Sequence, residues 1–210
     1  FATGIREYLD GCPGAELVVM RPTDWGVERE IVDAAVGAGA HVNVVDNELW
    51  LTSDAEFDAW AKGRKSLRLE YFYRSVRKAR GWLMDGDKPV GGRWNYDAEN
   101  RQGPGPGHDF PLVAGFEPDD LTVEARAQVD ATWPDHFGDT RTFAWPVTRE
   151  QAVQALEDFV EHRLASFGPY EDAMVEGEDV LYHSLLSVPL NLGLLHPREV
   201  CERALAHAAD

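Results

Sequence analysis

Glu16-Leu17-Val18-Val19-Met20, Arg21-Pro22-Thr23-Asp24, Trp25 to Val36, Gly37-Ala38-Gly39 and His41-Val42-Asn43-Val44-Val45-Asp46 form the stretch whose reading decides the fold. The first five residues are a short apolar run suited to a buried strand, and the Pro-containing tetrapeptide breaks it. Asp24 is placed to cap a helix through Trp25 to about Val36, in which Val27, Ile31 and Ala34/Ala35 recur at helical spacing. Gly37-Ala38-Gly39 stops that helix, and residues 41–46 read as a second strand with Val42 and Val44 on one face. Strand, helix and strand with short connections predict a βαβ unit, hence parallel strands and a right-handed crossover. Leu49-Trp50-Leu51-Thr52 reads as another extended segment or a loop.

Further along, Ser53 is placed to cap a short helix from Asp54 to Ala61. A longer helix is expected from Ser66 to Leu83, with Leu69, Phe72, Val76, Ala79 and Leu83 as its apolar stripe. Eight of the chain's 20 basic residues fall between Lys62 and Arg80. That run reads first as a solvated helix face paired with acidic neighbours, and second as a local anion contact. Residues 84–101 are rich in turn formers and in amide, carboxylate and guanidinium groups, a composition suited to locking two parts of a protein together. Residues 102–145, opening with Gln102-Gly103-Pro104-Gly105-Pro106-Gly107, read as an interdomain connector with one short helix from Leu121 to Thr132. Beyond it the pattern is helical. Thr148 and Gln151 form a capping box ahead of a stripe of Ala152, Leu156, Phe159, Val160 and Leu164. Phe167-Gly168-Pro169-Tyr170 ends that helix, and Pro197 begins another to about Ala208.

The bulk properties bound the possibilities. At 210 residues the chain makes one large domain or two small ones, with 44% hydrophobic and 10% aromatic residues typical of a globular protein. It shows no membrane-length apolar run and no signal peptide, so a cytoplasmic protein without a membrane partner is expected. The two cysteines, Cys12 and Cys201, give no disulfide framework. A chain that opens on Phe1 and closes on an unfinished helix is read as a piece of a longer protein. The net charge of −17, with only four lysines, argues against the whole piece wrapping nucleic acid. Either a salt-loving host or a GC-rich genome accounts for such a balance, which speaks to solubility and not to fold.

Chemistry is concentrated in Tyr182-His183-Ser184-Leu185-Leu186-Ser187-Val188-Pro189-Leu190-Asn191-Leu192-Gly193, just ahead of a helix-start signal at His196-Pro197-Arg198-Glu199. Hydroxyls and backbone N–H groups beside a helix N-terminus hold phosphate well. From spacing alone, serines that merely cap a buried helix pair are the simpler account. There is no CxxC pair, Walker-type or GxGxxG loop, HExxH or GxSxG. His162, His183 and His196 lack ligand spacing on a common helix. The carboxylate pairs Asp85/Asp87 and Asp119/Asp120 are of the kind found in turns, so catalytic residues are not assigned. Pattern alone gives α/β followed by all-α.

Gly63-Arg64-Lys65-Ser66-Leu67-Arg68-Leu69-Glu70-Tyr71-Phe72-Tyr73-Arg74, continuing through residues 83–101 with Pro89-Val90-Gly91-Gly92-Arg93-Trp94-Asn95-Tyr96-Asp97-Ala98-Glu99-Asn100-Arg101, closely resembles the deoxyribodipyrimidine photolyase-related proteins. These are the prokaryotic, iron–sulfur branch of the cryptochrome/photolyase family and include bacterial (6-4) photolyases. Residues 167–199 resemble the same family's first flavin-contacting helices. The resemblance implies a photolyase-like antenna domain at residues 1–101 that lacks its first strand, the connector at 102–145, and the start of a helical FAD-binding domain at 146–210. Photolyases contact the flavin's phosphates through a Thr-Ser-x-Leu-Ser stretch, with a Tyr some residues upstream. The matching positions are His183, Ser184, Leu185, Leu186 and Ser187, with Tyr170. His183 replaces the Thr and Leu185 falls where Arg is common, so Ser184 and Ser187 carry the match. Cys201 stands where the branch has its first ligand to a [4Fe-4S] cluster, whose other three thiolates would lie further along. Taken alone, it reads as a buried helix thiol.

The resemblance further implies blue-light-driven electron transfer from reduced FAD to a damaged pyrimidine pair, flipped out of the duplex and held against the flavin. A lumazine antenna pigment would sit on the α/β domain. The expected partner is damaged DNA, met by a monomer. The lesion pocket, relay tryptophans and remaining cluster cysteines are expected outside this sequence, so the 210-residue piece by itself is expected to lack repair activity and to hold FAD weakly. Two other functions fit the same residues: a cryptochrome-like photoreceptor without repair, and a stand-alone α/β binding module with a docked helical tail.

Overall fold

A computed structural model describes residues 2–105 and 107–209; Phe1, Pro106 of the Gly/Pro run, and Asp210 lie outside the described residues. The chain divides into two compact units, Phe1–Arg80 and Gly81–Asp210.

The first unit is built on the expected βαβ. After a helix α1 (Ala2–Asp10) come β1 (Glu16–Met20), α2 (Trp25–Gly37) and β2 (His41–Val45). The strands pair in parallel, with Glu16 opposite His41 and Met20 opposite Val45. Asp24 caps α2 as its position implies, its carboxylate accepting from the Val27 N–H at 3.0 Å. Ile31, Ala34 and Ala35 are the buried stripe of that helix. Val42 and Val44 share the half-buried face of β2. The opposite sheet face leaves Val18 58% and Met20 40% exposed, unusual for parallel strands, which are normally covered on both faces. α1 was not anticipated: it has no cap signal and only a single buried side chain, Leu9.

Ser53 and Glu56 form a full capping box at the start of α3 (Asp54–Ala61). The following helix, α4 (Leu69–Arg80), is shorter than the expected 66–83. It begins where the Arg68 carbonyl accepts from Tyr71 and Phe72, and stops before Gly81, whose φ is +68°. Leu83, expected in the stripe, lies beyond the helix in the second unit. Phe57, Trp60 and Phe72 bring α3 onto α4, with ring centroids 5.1–5.8 Å apart. Residues 49–52 are turn and bend, without strand.

The second unit opens with a hairpin of two-residue strands, β3 (Met84–Asp85) and β4 (Lys88–Pro89), and its later elements are helices joined by irregular stretches. α5 (Asp120–Thr132) is capped by Asp119, and α6 (Arg149–His162) by the expected Thr148/Gln151 box. α7 (Leu164–Phe167), α8 (Ser187–Asn191) and α9 (Pro197–Ala209) complete it. Its core is Ala152, Leu156, Phe159 and Val160 of α6 with Leu186 and Leu195. The architecture is therefore α/β followed by helices.

By their contacts, residues 81–101 fall in the second compact unit. The reason lies in hydrogen bonds. Asn100 Nδ2 donates to Glu171 at 2.9 Å, the Asp172 N–H to the Asn100 carbonyl at 3.1 Å, and the Gln102 N–H to the Pro169 carbonyl at 3.1 Å. Arg101 adds an ion pair to Asp172 at 3.2 Å.

Candidate functional site

The segment 181–187 connects an irregular stretch to α8, and its two ends are buried: Leu181 is 4% and Leu186 2% exposed. Between them Tyr182, His183, Ser184 and Leu185 are half-buried, and Ser187 is exposed. Leu181 (φ 52°) and Leu185 (φ 57°) both adopt left-handed backbone. Branched side chains at such angles are rare and cost on the order of 1 kcal/mol each, so the surrounding packing must impose them. The Ser184 hydroxyl accepts weakly from the Leu186 N–H at 3.5 Å. The Tyr182 ring stacks on Tyr170 with centroids 5.2 Å apart and planes 25° from parallel. Its hydroxyl lies 2.7 Å from His108 Nε2, and the Phe110 ring centroid is 5.6 Å from its own. The His183 ring meets Phe167 edge to face at 6.5 Å.

The structure thus gathers Tyr170, His183, Ser184, Leu185, Leu186 and Ser187 in one neighbourhood of α6, α7 and α8. It adds four residues that sequence reading missed: His108, Phe110, Asp158 and Arg163. His108 and Phe110 come from the connector and have no local signature pointing to a tyrosine 74 positions away. Arg163 donates from Nε to the His183 carbonyl at 3.2 Å and pairs with Asp158 at 2.6 Å. An arginine among apolar residues was the available signal, but nothing in its spacing shows which carbonyl it takes.

The helix-start signal at His196–Glu199 coincides with the start of α9, and no phosphate site opens there. The N-terminus of α9 is satisfied by its own residues, with the Arg198 N–H on His196 Nδ1 at 3.1 Å and the His196 N–H on Glu199 at 3.5 Å. Arg149 also grips Glu199 by two guanidinium nitrogens, and that hydrogen bonding holds the Glu199 carboxyl below the usual glutamate range. Ser184 instead precedes the short α8 and Ser187 is its first residue, while the cap residue Leu186 offers no side-chain hydrogen bond. Any phosphate grip would have to come from the 183–187 segment itself.

Cys201 is a half-buried thiol on α9, pushed above its ordinary range first by burial and then by the charge of Glu202. Among the described residues no three His, Cys, Asp or Glu side chains cluster as a metal site. One neutral thiol supplies a single donor where a cubane cluster needs four thiolates. The basic run from Lys62 to Arg80 is partly paired: Arg74 with Glu70 at 2.7 Å and Arg80 with Glu56 at 3.4 Å. The Arg64 guanidinium lies 4.6 Å from the centre of the Trp60 ring. A cleft of about 480 Å³ opens beside the carboxyl ends of β1 and β2, lined by Arg21, Asp46, Asn47, Trp50, Asp54 and other residues. Open α/β sheets bind ligands at that end of their strands. Another cleft, of about 690 Å³, lies between α5 and residues 133–145 and includes none of the segment 181–187.

Residues 1–145 match the deoxyribodipyrimidine photo-lyase-related protein family. The chain belongs to that family. Over 204 residues, 97% of its length, it is 41% identical to a (6-4) photolyase of Agrobacterium fabrum (strain C58 / ATCC 33970). It is also 24% identical over 103 residues to the uncharacterized protein R852 of Acanthamoeba polyphaga mimivirus, matching 47% of this chain. The chain spans 40% of the length of the first relative and 53% of the second. No helix among the described residues is long and apolar enough to cross a membrane.

Proposed function

We propose that this chain contributes the antenna-type α/β domain (residues 1–101), the connector (102–145) and the first part of a helical flavin domain (146–210) to a blue-light-driven DNA photolyase acting on (6-4) pyrimidine photoproducts. The observation that carries the reading is 41% identity to a (6-4) photolyase across 97% of this chain, an alignment that runs through the segment 181–187. Reduced FAD, when bound and excited, supplies the electron that rearranges the lesion.

The residues present fit such a cofactor. Ser184 and Ser187 offer hydroxyl donors for phosphate oxygens, in a segment pinned by buried Leu181 and Leu186. The Tyr170–Tyr182 stack gives an aromatic surface at Tyr182 of the same segment, and the half-buried setting of Ser184 limits water around an anion held at its hydroxyl. His183 contributes its carbonyl inward to Arg163, and its ring packs on Phe167. Leu185 supplies no charge, so a guanidinium contact to phosphate at that position is not available. Cys201 would give one of four thiolates to a [4Fe-4S] cluster in the complete protein, and a lumazine antenna would sit on the α/β domain. Damaged DNA is the proposed partner, met by a monomeric, cytoplasmic enzyme.

The test is the absorption spectrum of the complete protein, together with light-dependent loss of (6-4) lesions in a DNA oligonucleotide. Flavin bands with lesion loss are expected. Flavin without lesion turnover would favour a cryptochrome-like photoreceptor, and a colourless protein would defeat both. Ser184→Ala and Ser187→Ala should each weaken FAD about tenfold, corresponding to roughly 1.4 kcal/mol for a hydrogen bond to a charged oxygen.

A further inference from the structure

Arg163 is the buried charged residue among the described residues, 2% exposed. It occupies the break between α6 and α7, with φ −127° and ψ −27°. A cation so enclosed is tolerated only when its charge is paired and its donors are used. Asp158 supplies the charge, with its Oδ2 2.6 Å from an Arg163 Nη. The same carboxylate oxygen accepts from the Ala114 N–H at 3.4 Å, which steadies it from the connector side. The Phe159 ring lies 5.9 Å from the guanidinium carbon. The remaining directed bond, from Nε, goes to the His183 carbonyl at 3.2 Å.

That bond lies between the two strained positions of the segment. Leu181 and Leu185, both left-handed, flank the carbonyl, and their neighbourhood is anchored by the burial of Leu181 and Leu186. Hydrophobic burial is non-directional and fixes where the segment sits without fixing how its peptide planes face. A hydrogen bond from a rigid guanidinium fixes direction. Because a trans peptide is planar, with C=O and N–H on opposite sides, aiming the His183 carbonyl at Arg163 turns the Ser184 N–H away from it. The Ser184 N–H has no acceptor among the described residues.

We propose that Arg163, locked by Asp158, is a positioning residue for the cofactor-phosphate segment: it orients the His183–Ser184 peptide so that the Ser184 N–H is presented, with the nearby hydroxyls, as an anion donor before the cofactor arrives. The proposal rests on reading residues 183–187 as a flavin-phosphate site, and its test separates the two.

In the complete protein, Arg163→Lys keeps the charge beside Asp158 but lacks the planar fork that serves carboxylate and carbonyl together. It should remain folded by far-ultraviolet circular dichroism, bind FAD about tenfold more weakly in a titration of the apoprotein, and speed amide hydrogen exchange at residues 183–187 but not in α6 or α9. Asp158→Asn should reproduce both changes, because the pair acts as a unit. Arg163→Met is the harsher variant, and should it fail to fold, Arg163→Lys and Asp158→Asn carry the test. Wild-type FAD affinity together with unchanged exchange at 183–187 in Arg163→Lys would overturn the positioning role while leaving the cofactor reading intact. If the wild-type protein binds no FAD, the cofactor reading falls. Exchange then decides the positioning role: local acceleration at 183–187 supports it and unchanged exchange overturns it.

Discussion

The two units hold their apolar side chains in different ways. In the α/β unit the buried residues Leu9, Ile31, Ala34 and Ala35 all come from α1 and α2, while Val18, Met20 and Val45 stay 39–58% exposed on the far face of the strands. In the helical unit one side of α6 (Ala152, Leu156, Phe159, Val160) closes against Leu186, within the candidate segment, and Leu195, beyond α8. A two-stranded sheet can be fully specified by its βαβ pattern and still bury little, because its stability needs a layer on each face. A helix stripe that finds partners makes a dense core, and here that core fixes a strained loop as well. The lesson is that specification of topology and supply of stability are separate, and the site is built where the second is found.

The comparison can be broken by mutation. The largest effect is expected from Leu156→Ala, which removes a 2%-exposed side chain from the helical core and should cost about 2–5 kcal/mol in urea unfolding. Val18→Thr on the bare sheet face should cost less than about 0.5 kcal/mol. Equal costs would mean the exposed face is covered in solution. Next in size is Thr148→Ala, which strips the capping box of α6 and should lower stability by about 1 kcal/mol, read as an earlier denaturant midpoint with unchanged slope. Leu185→Gly should relieve the left-handed strain, raising or preserving stability, whereas Leu185→Val should lower it by about 1 kcal/mol or more. A melting temperature unchanged in both would show the loop is not strained.

The smallest effect concerns pH. Glu199 is held below the usual glutamate range mainly by Arg149, and Glu157 likewise by Arg203. A carboxyl whose folded value is depressed stabilises the fold fully above its ordinary value and loses that contribution as pH falls through the depressed one. Both pairs are partly exposed, so each is worth at most about 1 kcal/mol. Stability should be flat near neutral pH and fall below about pH 4.5, and Glu199→Gln should flatten that fall in a series of melts.

Much of the backbone is legible in the sequence. Asp24, Ser53 and Thr148 each announce a helix start by a short side chain that reaches an N–H three residues on, a local event that sequence records. Helix ends were less legible. α4 stops at Arg80 because Gly81 turns left-handed, and the apolar Leu83 beyond it mimics one more turn of stripe. α1 went unseen because it carries no cap signal and buries only Leu9.

For the candidate site the division is sharper. The sequence by itself determined which groups exist there: hydroxyls at Ser184 and Ser187, aromatic rings at Tyr170 and Tyr182, and no cation at residue 185. It also determined the order of an α/β unit and a helical one, since hydrophobic period and caps act over a few residues. Only the tertiary structure decided that His108 meets Tyr182 across 74 positions, that Asn100 and Arg101 grip Glu171 and Asp172, and that Arg163 takes the His183 carbonyl. Those bonds are directional and long-range. No local period in the chain encodes them.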